Sequence, residues 1–277
     1  LMIKQAIIPL AGLGTRLLPL TSVFPKELLP INGIPGIEYI LDECIDAGVN
    51  EIIFVISKKK EIIKKYFNND SFYRSIIKKK NDPRIIKEYK KILFFKKKIK
   101  FVYQNKPMGT GDAVLKAKKY IKSKYFLMLF ADDLIMKTNC SKEMIKAHKK
   151  YNCSVMASMN VNKNTVNRWG IYSVDKKLDK FNFKISDVVE KPGLLNAPSN
   201  NAVIGRYILS KKIFTYLKNQ EKGKGGEIHI TDAIRRMILD QNLFIGHKFK
   251  GKYLDCGSMN GFIKSGIEIF KLWKFAW

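Results

Sequence analysis

Short, mostly apolar runs alternating with longer stretches of helical periodicity constrain this chain more than any other feature. Lys4–Leu10 is an Ile-rich run that ends at a Gly-containing loop, Glu51–Ser57 reads EIIFVIS, and Tyr125–Phe130 reads YFLMLF. Runs this short and this rich in apolar residues predict strands covered on both faces, as in a parallel sheet. Between them, Pro35–Gly48 places Ile37, Ile40, Leu41, Cys44, Ile45 and Ala47 at helical spacing, with Gly48 as its stop. Lys58–Phe67, Gly109–Ile121 and Ser141–Tyr151 read as further helices, and Lys100–Gln104 and Ser154–Val161 as further strands. Asn69–Lys98 is a Lys-rich, mostly helical excursion. Strand alternating with helix in this way predicts an α/β architecture with a mostly parallel sheet.

The texture changes after about residue 160. Gly170–Val174, Phe183–Glu190 and Ala202–Ser210 read as strands with less helix between them. A helix over Ile230–Gln241, opened by Thr231 and Asp232, then a strand over Phe244–Lys250 and a closing helix over Met259–Trp273 complete an α+β lobe. With no internal repeat and no Pro/Gly/Ser linker, one domain over residues 1–277 is expected, divided near residue 160.

Composition narrows the function classes. Hydrophobic residues make up 46% of the 277, enough for a large core and incompatible with global disorder. No apolar run approaches the ~20 residues of a membrane span, and the N-terminal apolar stretch meets Gly and Arg instead of a small-residue cleavage site. A cytoplasmic location is therefore expected. Cys44, Cys140, Cys153 and Cys256 form no close pair and read as reduced thiols. The net charge is +28, yet Arg occupies only positions 16, 74, 84, 168, 206, 235 and 236, so lysine supplies nearly all of the surplus. Nucleic-acid readers favour Arg at base edges, so scattered Lys reads as solvated surface, with no nucleic-acid partner.

The chemistry-bearing residues begin at Ala11-Gly12-Leu13-Gly14-Thr15-Arg16, directly after the first strand. Glycines there let backbone N–H groups approach an anion, although a plain strand-to-turn connection also accounts for them. A dinucleotide fingerprint fails because Leu17 stands where the third Gly belongs, and a Walker loop fails because Gly14 precedes Thr15-Arg16. What remains is a Gly loop holding Arg16, followed by Lys26 in Phe24-Pro25-Lys26-Glu27, two cations suited to one polyphosphate. Asp132-Asp133 closes the third apolar run, where ligands of open α/β sheets sit, though an Asp pair there could equally cap the next element. His148, His229 and His247 lack catalytic neighbours and read as structural.

The stretch LAGLGTRLLPLTSVFPKELLP, Leu10–Pro30, resembles the signature of the sugar-1-phosphate nucleotidylyltransferases, and later motifs follow in that family's order. Ala11-Gly12-Leu13-Gly14 and Pro25-Lys26-Glu27 fall on its uridylyl side; dTTP-using members typically read Gly-Gly-Ser-Gly-Thr-Arg and Ser-Lys-Gln. The resemblance implies a Rossmann-like sheet with a nucleotide-binding half, residues 1–160, and a sugar-phosphate-binding half, residues 161–277. It implies that Ala11, Gly12, Glu27, Gln104 and Gly109 line the base, with Gly14 and Thr15 also on the nucleotide. Asp132 and Asp255, the latter in Tyr253-Leu254-Asp255-Cys256-Gly257, would hold Mg²⁺, with Asp133 beside them. Ala131 departs from the family's usual Leu-Pro-Asp but keeps the carboxylate. Gly170 and the Glu190-Lys191-Pro192 motif would bind glucose 1-phosphate, and Arg16, Lys26 and Lys191 would be catalytic.

By that resemblance the expected reaction joins UTP and glucose 1-phosphate, giving UDP-glucose and pyrophosphate by direct in-line attack. The expected assembly is a homo-oligomer, dimer or tetramer, with the tail near Trp273 and Trp277 as a candidate contact. A thymidylyltransferase, a Lys-rich nucleic-acid-binding protein and a non-catalytic sugar-nucleotide binder are the rivals.

Overall fold

A computed structural model describes residues 2–273. The chain begins with β1 (Gln5–Pro9), a short hairpin of β2 (Pro30–Ile31) and β3 (Ile34–Pro35), α1 (Gly36–Asp46) and β4 (Glu51–Ile56). It continues through α2 (Glu61–Phe67), α3 (Asp70–Lys80), α4 (Pro83–Lys96), β5 (Ile99–Tyr103) and α5 (Thr110–Lys116). Next come β6 (Tyr125–Leu129), β7 (Asp133–Met136), α6 (Cys140–Tyr151), β8 (Ser154–Asn160), β9 (Gly170–Lys177) and β10 (Asn182–Glu190). The last elements are β11 (Asn201–Ser210), α7 (Ile213–Lys218), α8 (Ile230–Leu239), β12 (Phe244–Lys248), β13 (Lys252–Asp255) and α9 (Met259–Trp273). The strands and long helices expected from periodicity are present within a few residues of their expected ends. The β2–β3 hairpin, β7, β13 and α7 are additions. Trp277 and the Trp273 side chain lie outside the described residues.

Nine strands form one sheet in the order β5-β4-β1-β6-β11-β8-β12-β10-β9. The first four are parallel, as the apolar runs predict. Beyond them the sheet is mixed: β11 runs antiparallel between β6 and β8, β12 is parallel to β8, and β10 is antiparallel to both β12 and β9. Alternate residues of each central strand feed opposite core layers. Ala6, Ile8, Ile52 and Phe54 pack in one layer, and Ile7, Ile53 and Val55 in the other. Helices cover both faces, so a buried parallel strand has no polar side to show.

The Lys-rich excursion is the α3–α4 helical pair. Asp82 caps α4 by accepting from the Arg84 N–H at 2.8 Å, with Pro83 in the first turn. Tyr73 stacks on Tyr89 at 5.1 Å, and Lys91 reaches Glu38 and Asp42 of α1 at 2.8 and 3.1 Å. One expectation is corrected: Thr231 and Asp232 do not cap α8. That helix starts at Ile230, whose N–H donates to Thr110 Oγ1 at 3.2 Å, so the cap comes from the start of α5 and Asp232 lies in the first turn. All four cysteines are buried and free. Among the described residues no helix is long and apolar enough to cross a membrane.

The Arg206 side chain on β11 is fully buried. Its Nε donates to both oxygens of Glu43 on α1 at 3.1 Å, and its Nη2 to Glu43 Oε2 at 2.9 Å. The same guanidinium donates to the carbonyls of Phe130, Gly205 and Asp133 at 3.1, 2.9 and 2.6 Å. Glu43 Oε1 also accepts from the Ser141 N–H and hydroxyl at the start of α6. Removing the cation leaves Glu43 charged and unpaired in the core. Arg206→Met should therefore cost about 3–5 kcal/mol, read as a lower denaturant midpoint.

His148 and His247 are both buried. Burial pushes both imidazoles below their ordinary pKa, outweighing the Cys153 carbonyl bonded to His148 and the Glu143 carboxylate beside His247. The unfolded chain thus binds protons that the native state refuses once the pH drops below about 6.5. Their contribution to stability is present above that value and lost on acidification. Tm should fall between about pH 7 and pH 5.5, and His148→Asn should flatten that slope.

Candidate active site

Three loops meet at the carboxyl ends of β4, β1 and β6. After β1 the chain turns at Gly14, whose φ of 71° suits glycine and whose carbonyl accepts from Thr21 Oγ1 at 2.8 Å. Two 3-10 turns, Thr15–Leu17 and Lys26–Leu28, then carry the two expected cations. Both face Asp132, which follows β6: Lys26 Nζ lies 2.6 Å from Asp132 Oδ2, and Arg16 Nη2 lies 3.5 Å from the same oxygen. Arg16 itself is mostly exposed.

The second carboxylate arrives through a ribbon that pattern reading did not find. β7 and β13 pair antiparallel, with Asp133 directly opposite Asp255. Asp255 Oδ1 accepts from the Gly257 N–H and Oδ2 from the Ser258 hydroxyl, both at 2.8 Å. The Cys256 N–H donates to the Asp132 carbonyl at 2.8 Å, which docks the ribbon on Asp132. Gly257 is required by this approach: a Cβ there would lie 2.6 Å from Asp132 Oδ2 and 2.7 Å from Arg16 Nη2.

Adjacent aspartates have opposite electrostatics. Burial pushes Asp132 up, but the Lys26 ammonium and then the Arg16 guanidinium outweigh it and hold the carboxyl below its usual value. Asp133 is pushed up to about 6 by burial and by the charge of Asp132. Its oxygens accept from the Tyr253 hydroxyl at 2.7 Å and the Gly205 N–H at 2.9 Å. Asp132 thus faces cations, while Asp133 faces the scaffold.

At the expected base end, Gln104 is buried and donates from Nε2 to the Gly109 carbonyl at 3.0 Å and to Asp112 Oδ2 at 2.8 Å. Gly109 has φ 94°, and a Cβ there would meet the Ile228 carbonyl at 2.7 Å. The Gly111 N–H donates to that carbonyl, and the Ile228 N–H donates to the Met108 carbonyl. The segment before α8 therefore props the loop at Gly109. Ala11 is buried at the end of β1 and Gly12 is exposed. Glu27 is buried, with both oxygens 2.8 Å from Lys60 Nζ.

On the expected sugar side, Gly170 of β9 lies opposite Glu190 of β10, and a Cβ at Gly170 would come within 3.2 Å of Glu190 Oε2. Lys191 has φ 46°, its N–H donates to the Trp169 carbonyl, and its side chain is 60% exposed. Trp169 packs edge-on against Tyr253 at 5.6 Å, linking this side to the aspartate ribbon. Two cavities of about 140 and 200 Å³ lie elsewhere, beside the β9–β10 turn and at the start of β6 and β8, and none of these residues lines either.

Sequence reasoning missed Lys60 and gave no role to Tyr253 and Gly257, which it held only as neighbours of Asp255. A signal for Lys60 existed: it precedes Ile63 and Phe67, the buried residues of α2, by three and seven residues.

A mixed α/β sheet with cations and carboxylates gathered at its strand ends defines a nucleotide-handling transferase class. The chain belongs to the nucleotidyl transferase family, whose sequence model matches residues 5–270. It is 37% identical to a protein named putative UTP–glucose-1-phosphate uridylyltransferase in Methanocaldococcus jannaschii, across 97% of this chain and 93% of that one. The UTP–glucose-1-phosphate uridylyltransferase of Pseudomonas aeruginosa is also 37% identical, across 95% of each chain. Among solved structures, a UDP-glucose pyrophosphorylase complexed with UDP-glucose superposes with a TM-score of 0.86 at 35% identity, covering 98% of this chain and 99% of that one. A UTP-bound enzyme of the same name from Acinetobacter baumannii gives 0.88 at 32% identity, covering 97% and 93%.

Gly257→Ala tests the crowding at Asp132. Nucleotidyl-transfer turnover should fall roughly 10- to 100-fold through displacement of the carboxylate. Tm should change little, because the new methyl meets two flexible side-chain tips.

Proposed function

We propose that this chain transfers the uridylyl group of UTP to glucose 1-phosphate, yielding UDP-glucose and pyrophosphate. The observation that carries the reading is the meeting of Lys26 and Arg16 on Asp132, on which the ribbon carrying Asp255 docks, at the carboxyl ends of the parallel strands. Relatives named for this activity span nearly the whole chain. In this reading residues 1–160 handle the nucleotide and residues 161–277 the sugar phosphate. Ala11, Gly12, Glu27, Gln104 and Gly109 line uracil, with Gly14 and Thr15 offering backbone N–H groups to the phosphates. Gln104 spends its amide N–H groups on Gly109 and Asp112, which leaves its carbonyl oxygen to accept from the base.

The nucleophile is a phosphate oxygen that is already anionic, so neither a general base nor a covalent intermediate is needed. The work of the protein is alignment and charge neutralisation. Lys191 orients the phosphate of glucose 1-phosphate, Glu190 accepts from sugar hydroxyls, and Gly170 leaves the hexose room. Lys26 and Arg16 stabilise the triphosphate and then the departing pyrophosphate, Lys as a point charge and Arg as a fork.

Enzymes of this family use a divalent metal ion. Asp132 and Asp255 fit Mg²⁺: both offer hard oxygen donors, Asp132 is held ionised, and Gly257 keeps the space beside its Oδ2 clear. Two protein carboxylates leave room for the water and phosphate oxygens that Mg²⁺ retains. Bound there, the ion would supply charge neutralisation between the two reacting phosphates. A homo-oligomer also belongs to this reading, supported by Ile263, Ile267 and Phe270, which α9 leaves exposed on one stripe.

The test is pyrophosphate release with Mg²⁺ and glucose 1-phosphate, comparing UTP with dTTP. Strong preference for UTP is expected, whereas preference for dTTP would move the chain to the thymidylyl branch. Lys26→Ala and Lys191→Ala should each lose about 100-fold or more at saturating substrate. Near-native turnover in either would refute its role.

A further inference from the structure

Two consecutive residues of one 3-10 turn face opposite charges. Lys26 Nζ bonds Asp132 at 2.6 Å, while both oxygens of Glu27 lie 2.8 Å from Lys60 Nζ. Asp132 follows β6, Lys60 ends the 3-10 turn after β4, and β1 lies between those strands in the sheet. The turn is therefore fastened from both sides across the carboxyl end of β1. Lys60, Glu27, Lys26 and Asp132 make a row of alternating charge. Neither Lys60 nor Glu27 is exposed to solvent that could screen the pair, the side chains being 8% and 1% accessible. Lys58 and Lys59, in the same run, are exposed.

Lys26 thus bonds one carboxylate and has a second beside it in sequence. To serve a triphosphate it must exchange Asp132 for phosphate oxygens, and a bare Glu27 would compete for the ammonium at that moment. Attraction between unscreened buried charges is strong enough to decide such a competition. We infer that Lys60 is a positioning residue that occupies both oxygens of Glu27, withholding that carboxylate from Lys26 and leaving the Lys26 ammonium available to the nucleotide phosphates. The inference rests on the function proposed above and adds a residue that does not itself touch substrate.

Steady-state pyrophosphate release, with kcat and the KM for UTP measured separately, tests it. Lys60→Met should lower kcat about 100-fold, the scale of losing one stabilising donor, and Lys60→Arg should stay within about threefold of the parent. The decisive variant is Lys60→Met combined with Glu27→Gln. Removing the competing carboxylate should restore about tenfold in kcat over Lys60→Met alone, even if the KM for UTP stays raised. A purely structural pair would also regain stability when Glu27 is neutralised, so kcat is compared per folded molecule, well below the Tm of each variant, where a structural pair gives no recovery. Lys60→Met with kcat within about threefold of the parent would overturn the inference, as would a folded double variant no faster than the single one. If Lys60→Met does not fold, Lys60→Gln takes its place, alone and combined with Glu27→Gln, under the same criteria. A parent chain that releases no pyrophosphate from UTP would instead bring down the functional reading on which this one stands.

Discussion

The buried pairing of Arg206 with Glu43 is the constraint from which the site's geometry follows. A charge this deep is tolerated only when the remaining donors and acceptors are also satisfied. Arg206 meets that demand with Glu43 and three carbonyls, two of them from Phe130 and Asp133. Those two carbonyls bracket Ala131 and Asp132, so one rigid fork fixes the peptide on which Asp132 stands. Through Glu43 the same fork is tied to α1 and, by way of Ser141, to α6. Gly205, the residue before Arg206, completes the arrangement: a side chain there would collide with Phe130 and Asp133.

With the peptide fixed, adjacent aspartates can be given different tasks. Asp133 accepts from Gly205 and Tyr253 and lies opposite Asp255, so it organises the ribbon. Burial raises its pKa, and a second nearby anion raises it further. Asp132 lies in the same low-dielectric setting but has Lys26 and Arg16 beside it, which reverses the sign of the shift. The contrast serves phosphoryl chemistry, which needs an ionised carboxylate among cations and gains nothing from a second free charge at the same spot.

Much of this was legible in the sequence wherever local pattern carries the information. β1, β4 and β6 show as apolar runs because both faces are buried, and α1 shows by its helical stripe. The Gly loop, Lys26 and Asp132 stand at the ends of those strands, so the cationic side of the site could be placed without coordinates. The aspartate ribbon could not. β7 and β13 have four residues each, too few to show a period, and their partners are far apart in sequence. The insertion of antiparallel β11 between β6 and β8 is equally non-local, being set by which edges remain unpaired once the first strands have assembled. The start of α8 misled for a related reason: Thr231 and Asp232 have the chemistry of a cap, but Thr110, from another element, supplies it.

The lysine surplus shows where composition stops being informative. A chain carrying +28 invites an explanation by charge alone, yet the lysines that matter here are separated from the rest by burial and partner. Lys91 folds back on Glu38 and Asp42 to hold the α3–α4 pair, a structural use that any solvated run would hide. Lys60 and Lys26 are set among carboxylates in places where an unpaired ammonium would not be stable. Desolvating an ammonium costs several kcal/mol, so a lysine is held inside a fold only where a fixed anion compensates for it. At Lys60 that anion is Glu27, part of the protein. At Lys26 it is Asp132, for which, in the proposed reaction, a phosphate of similar charge would be traded, and that difference in exchangeability would separate a lysine that supports the site from one that acts in it.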